Sequence, residues 1–128
     1  MKTVRILLVD DSREFLAIVH EFVTGQSQMD VVDTCSTGNQ AIKLASVAKP
    51  DLIVMDISMP GMSGLEATRL IKSQPEPPRV IVLTMHDDDW HRNVARSCGA
   101  DGFVAKTELT RHLMPLIRKL FGLQQAES

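Results

Sequence analysis

Short apolar runs rich in β-branched residues recur at Val4 to Val9, Met29 to Thr34, Leu52 to Met55, Val80 to Leu83 and Gly102 to Val104, and each predicts a strand. Between them the apolar positions change to helical spacing: Phe15, Ile18, Val19 and Phe22, then Ala41, Leu44 and Ala45, then Leu65, Thr68 and Ile71. Strands therefore alternate with helices. That order predicts βαβ units and a parallel sheet covered by helices on both faces. Ile6-Leu7-Leu8-Val9 and Val80-Ile81-Val82-Leu83 agree, because a strand buried on both sides need not alternate apolar with polar residues. Leu109, Leu113, Leu116, Ile117 and Leu120 mark a last helix, but Pro115 falls within it. An internal proline removes a backbone hydrogen bond at a cost of roughly 3 kcal/mol, so a kink or a late start is expected there. Gln74-Pro-Glu-Pro-Pro78 predicts a rigid loop into the fourth strand, with no interdomain linker or internal repeat elsewhere.

Composition narrows the class. A chain of 128 residues with 44% hydrophobic and 23% charged residues has the size and core content of one globular domain. Its formal net charge is −2, and its 14 Lys and Arg residues are scattered, so no basic stripe is available for a nucleic-acid backbone and none is expected to bind this chain. Cys35 and Cys98 lie far apart, without a Cys-x-x-Cys or a His pair at metal-ligand spacing, which favours a reducing compartment over a zinc site or a disulfide framework. The apolar run Ile6 to Val9 stops at Asp10 and Asp11, far short of a signal-peptide core or a membrane helix. The expected location is the cytoplasm.

In an open parallel sheet, ligands bind beyond the carboxyl ends of the strands. The residues that follow the apolar runs are Asp10 and Asp11, Asp56, Thr84 and Lys106. Each has an ordinary explanation on its own: Asp11 with Glu14 fits a capping box, Asp56 can open the Pro60-Gly61 turn, Thr84 is a common strand residue, and Lys106 can be a solvated lysine. Together they do not, since three carboxylates crowded on one edge repel one another unless a cation offsets them. Oxygen ligands without Cys or His suit Mg²⁺, which takes one or two carboxylates plus water and phosphate oxygens. A carboxylate in that setting can attack phosphorus if the metal and Lys106 balance the charge on the transferred group.

Asp10-Asp11, Asp56-Ile-Ser-Met-Pro-Gly-Met-Ser-Gly64, Leu83-Thr84 and Gly99-Ala-Asp-Gly-Phe103-Val-Ala-Lys106 follow one another in an order and spacing that resemble the receiver domain of two-component response regulators, from about Val4 to about Phe121. The resemblance implies a flavodoxin-like, doubly wound (βα)5 fold with strand order 2-1-3-4-5, and one receiver domain over residues 1–128 with no output domain encoded in the chain. It implies that Asp56 is the phosphoacceptor, that Asp10, Asp11, Asp56 and the backbone carbonyl of Ser58 shape a Mg²⁺ pocket, and that Lys106 and Thr84 contact the phosphoryl group. Thr84 and Phe103 would form the switch, and Ser58 and His86 would tune the lifetime of the phosphoaspartate. The implied partners are a sensor histidine kinase or a phosphotransfer protein, and a second copy or an effector on the face made by helix 4, strand 5 and helix 5, in a module that is not a conventional enzyme. Two positions depart from the common pattern: Phe103 stands where Tyr is more usual and lacks its hydroxyl, and Thr107 stands where many receivers carry proline after the lysine. With Leu83-Thr-Met-His-Asp-Asp-Asp89, this ending resembles receivers of the NarL/FixJ type, whose full-length members usually continue into a helix-turn-helix domain.

Other classes fit less well. A hydrolase of the haloacid-dehalogenase type expects a second Asp two positions after the first, where this chain has Ser58. A nucleotide- or flavin-binding domain needs a glycine- or hydroxyl-rich phosphate loop, and Asp10-Asp-Ser-Arg-Glu14 would repel phosphate without a metal. A receiver-like interaction module that no longer takes phosphate stays open on the residues alone, although such modules generally lose an acid or the lysine. His86, Asp87 to Asp89, Trp90 and His91 suit a helix cap better than a metal site. His20 and His112 fit helix surfaces, and Met55, Met59 and Met62 fit packing around the acceptor loop.

Overall fold

The computed structural model describes residues 3–123. Strands β1 (Val4–Val9), β2 (Met29–Cys35), β3 (Leu52–Asp56), β4 (Arg79–Thr84) and β5 (Gly102–Ala105) alternate with helices α1 (Arg13–Thr24), α2 (Gly38–Val47), α3 (Gly64–Lys72), α4 (Asp89–Ser97) and α5 (Leu109–Leu120). The strands form one sheet in the order β2-β1-β3-β4-β5, and every pairing is parallel. This is the flavodoxin-like arrangement expected from the sequence.

Period-2 alternation along each strand divides the core into two layers. Ile6 and Leu8 of β1 pack with Val19 and Val23 of α1 and with Leu113 and Ile117 of α5. Leu7 and Val9 point to the other face, among Ala41 of α2, Ala67 and Ile71 of α3, and Ala95 of α4. Because both faces are covered, the runs Ile6 to Val9 of β1, Leu52 to Met55 of β3 and Val80 to Leu83 of β4 are apolar without a break. Complete burial of such side chains stabilises the fold by roughly 1.5–3 kcal/mol each.

Helix starts are set by side-chain caps. Ser12, Thr37, Ser63 and Asp88 accept hydrogen bonds from the third residue onward in α1 to α4, at Phe15, Gln40, Glu66 and His91. The α1 cap is therefore Ser12 and not Asp11, because the strand-end turn places the Ser12 hydroxyl, one residue further on, under the free N–H of Phe15. Asp88 confirms the capping role expected for the acidic run before α4. His20 and His112 lie exposed on helix surfaces, as expected.

Two local features differ from simple pattern reading. The β1–β2 register steps from Ile6↔Val31 to Leu7↔Asp33, which leaves Val32 as a bulge on the edge strand. Helix α5 follows a 3-10 turn at Lys106–Glu108, begins at Leu109 and continues past Pro115, so the late start does not occur. Pro115 lies on the exposed side of α5, as does Arg111 one turn earlier, whose carbonyl water can satisfy. The peptide bond before Thr107 is trans, as are all those described. No helix among the described residues is long and apolar enough to cross a membrane.

Pro115→Ala restores the missing N–H without removing a core contact. It should raise the unfolding free energy by about 1–3 kcal/mol, measured as a higher urea midpoint at unchanged slope. An unchanged or lower midpoint would mean that the ring itself contributes to the fold.

Candidate functional site at the carboxyl edge of the sheet

Parallel pairing brings the carboxyl ends of β1, β3, β4 and β5 to one edge, with Val9 beside Met55, Asp56 beside Leu83 and Thr84 beside Ala105. Asp10, Asp56, Thr84 and Lys106 are thereby gathered from four separate stretches of chain. Carboxylate oxygens of Asp10, Asp11 and Asp56 all lie within 4.8 Å of one another. Asp10 and Asp56 are only 3% and 4% exposed, whereas Asp11 faces solvent at the mouth.

Lys106 enters this group from the end of β5. Its Nζ is 2.9 Å from Asp10 Oδ2 and 3.3 Å from Asp56 Oδ1. The ammonium also meets the Phe15 ring, 4.3 Å from the centroid. Asp10 Oδ1 accepts the Ser12 N–H at 2.9 Å, while its buried Oδ2 touches Lys106 out of line for a hydrogen bond and keeps an open lone pair. Asp56 Oδ1 accepts the Ser58 N–H at 3.2 Å. Burial pushes the Asp56 carboxyl up to about 6, with the neighbouring Asp10 charge adding to the rise and Lys106 and the Ser58 N–H opposing it.

The remaining expected residues sit around this centre. Thr84 is buried at the end of β4, but its hydroxyl is engaged with the following loop: Oγ1 accepts the His86 N–H at 2.9 Å and lies 3.4 Å from the His86 carbonyl. Phe103 is half-buried on β5, with the Arg92 guanidinium 5.2 Å from its ring centroid. Arg92 is held in turn by Asp87, with Nε 2.8 Å from Oδ1. The His86 ring stacks on His91 at 5.1 Å, and His91 pairs with Asp88 through Nδ1 at 2.7 Å. Ser58 is exposed beside Asp56, and Met55 and Met59 are buried in the core beneath the loop.

Residues 6–118 match the family of response regulator receiver domains. The chain belongs to that family. Response regulator protein VraR of Staphylococcus aureus is 33% identical over 117 residues, covering 91% of this chain and 56% of the relative. The chain thus spans about half the length of the curated relatives it matches. A LuxR-family two-component response regulator from Aurantimonas superposes with a TM-score of 0.89 at 30% identity, covering 99% of this chain and 91% of the other. The response regulator domain of Thermotoga maritima CheB gives 0.87 at 28% identity over 97% and 100% of the two chains. The signal receiver domain of the putative NarL of Mycobacterium tuberculosis gives 0.82 at 28% identity over 90% and 96%.

Three residues of this receiver matter more than their patterns indicated. Phe15 reads as a core position of α1, yet its ring also bears on Lys106. Ser12 links Asp10 to the start of α1. Gly64 opens α3 with its N–H on the Ile57 carbonyl at 2.8 Å, and a Cβ there would overlap the backbone oxygen of Asp56. A glycine in the first turn of a helix is the one available signal for such a close approach; nothing in the spacing marks Phe15.

Gly64→Ala must push α3 away from the end of β3, so it should lower stability by roughly 1–3 kcal/mol in urea denaturation. Wild-type stability would mean that the helix start can shift without cost.

The Asp56 titration gives a second expectation. With a folded value of about 6 against 3.8 for the free carboxyl, the folded state holds the proton more tightly, so stability is lost as pH rises from about 4 to about 6. Asp56→Asn removes that loss. Without divalent cations the variant should be more stable than wild type by up to about 3 kcal/mol at pH 7.5, with the difference vanishing near pH 4. Paired urea titrations across this range measure it, and equal stability at pH 7.5 would contradict a strained carboxylate.

Proposed function

We propose that this receiver takes a phosphoryl group onto Asp56 from a phosphohistidine of a sensor histidine kinase or a phosphotransfer protein. The observation that carries the reading is the position of Asp56, buried between the Asp10 and Asp11 carboxylates and the Lys106 ammonium. The open lone pair of Asp10 Oδ2 and the all-oxygen donor set fit a Mg²⁺ ion. Asp10, Asp11, Asp56 and the backbone carbonyl of Ser58 would hold it. When bound, Mg²⁺ supplies positive charge to the phosphoryl oxygens.

An Asp56 carboxylate oxygen attacks phosphorus, forming the O–P bond as the P–N bond to the donor imidazole breaks and the imidazole takes a proton. Lys106 balances charge on the phosphoryl oxygens, and the Ser58 N–H steadies the carboxylate. Hydrolysis reverses the modification: water attacks phosphorus and Asp56 leaves as carboxylate. Ser58 and His86, each two positions after a site residue, tune the rate of that step. The only chemistry assigned to the module is this turnover of its own phosphate.

Output follows from the Thr84 hydroxyl. A phosphoryl group offers it a stronger acceptor than the His86 backbone, and the movement leaves space for the Phe103 ring. The surface altered comprises α4, β5 and α5, where a second copy or an effector docks. The working location is the cytoplasm, with no nucleic acid bound by these residues themselves.

Intact-mass spectrometry after incubation with acetyl phosphate and Mg²⁺ tests the reading. Wild type should gain one phosphoryl group and Asp56→Asn none. Undiminished uptake by the variant would move the acceptor elsewhere.

A further inference from the structure

Lys106 is restrained by more than the two acids. Its side chain is 10% exposed, and the Phe15 ring lies against the ammonium at 4.3 Å from the centroid, well inside the range of a cation–π contact. The ring is itself tied to the acid pocket. Asp10 Oδ1 accepts the Ser12 N–H at 2.9 Å, Ser12 Oγ accepts the Phe15 N–H at 3.2 Å, and Lys106 Nζ returns to Asp10 Oδ2 at 2.9 Å. The contacts form a closed circuit of Asp10, Ser12, Phe15 and Lys106, so the turn that orients an acidic side chain also sets the ring over the lysine.

We propose that Phe15 is a positioning residue for phosphoryl transfer, holding the Lys106 ammonium over Asp56 through its ring face. A lysine carries four rotatable side-chain bonds and a strongly hydrated charge, so an unrestrained Lys106 would swing toward water or settle on the acids alone. An aromatic face attracts the ammonium without competing as a hydrogen-bond acceptor. Its N–H donors thus remain available to an arriving phosphoryl oxygen. The ring also excludes water, which strengthens the attraction between the ammonium and developing negative charge.

Simple packing is the competing role, since Phe15 also lies against the α1/α5 layer of the core. Ring electronics separate the two. The inference rests on Asp56 being the acceptor, and the test keeps the two apart. Phe15 is replaced in the full chain by phenylalanines bearing one, two, three and five ring fluorines, which keep the shape closely while weakening and then reversing the negative face. The phosphorylation rate with acetyl phosphate should fall stepwise with fluorine number, reaching roughly three- to thirty-fold at five. Mg²⁺ affinity, measured by calorimetry, should change less than two-fold. Separately, the ring-current shift of the Lys106 ε protons in NMR spectra should be lost in Phe15→Leu and kept in Phe15→Trp. A rate that stays flat along the fluorine series, or rate and Mg²⁺ affinity falling together, would reduce Phe15 to packing. An unshifted Lys106 signal in Phe15→Leu would remove the contact itself. If unfluorinated protein takes up no phosphoryl group, the acceptor assignment fails, while the Lys106 signal still decides whether the ring holds the ammonium.

Discussion

The charge imbalance at the carboxyl edge of the sheet governs the rest of this molecule. Two buried carboxylates and a third at the mouth lie within 4.8 Å of one another, and the Lys106 ammonium contacts the two buried ones. Burial and the Asp10 charge raise Asp56 to about 6, so at neutral pH the fold holds a carboxylate in an environment that disfavours its charge. A site strained in this way gains from any added positive charge.

The scaffold around those groups is correspondingly stiff. β1, β3 and β4 are buried on both faces, and their register extends through Asp10 N–H to Cys35 carbonyl and Ile57 N–H to Leu83 carbonyl beyond the last strand residues. Gly64 lets α3 begin against the Asp56 backbone, where any side chain would force it outward. Ser12 fixes Asp10 from one side, and Lys106 meets it from the other. Main-chain hydrogen bonding and close packing leave the acid centre few ways to relax, which is the condition for a preorganised site.

The adaptable part begins at Thr84. Its hydroxyl is committed to the His86 backbone, and the same loop carries Asp87, whose carboxylate holds the Arg92 guanidinium against Phe103. In the proposed switch, a change at the Thr84 hydroxyl would reach the β5 aromatic through the loop that anchors Arg92. Phe103, which has no phenol hydroxyl, meets the Arg92 guanidinium with its ring. Exposed Met85 and Trp90 lie on this same loop and helix start, so its surface is apolar as well as charged.

Local pattern was enough for the strands, for α1, α2, α3 and the apolar stripe of α5, and for the edge on which the chemistry falls, because period and strand-end position are properties of neighbouring residues. It also named Asp10, Asp11, Asp56, Thr84 and Lys106, since parallel strands deliver their carboxyl ends to one side whatever the detailed packing. The helix through Pro115, the α1 cap at Ser12, the Thr84 hydroxyl turned onto His86 and the Phe15 ring over Lys106 were decided only by the tertiary structure. Each depends on distances between groups brought together by strand register and helix packing, or on which side of a helix faces water. Hydrophobic periodicity specifies that Phe15 is turned inward; only the assembled fold determines that an ammonium from the far end of the chain lies against it.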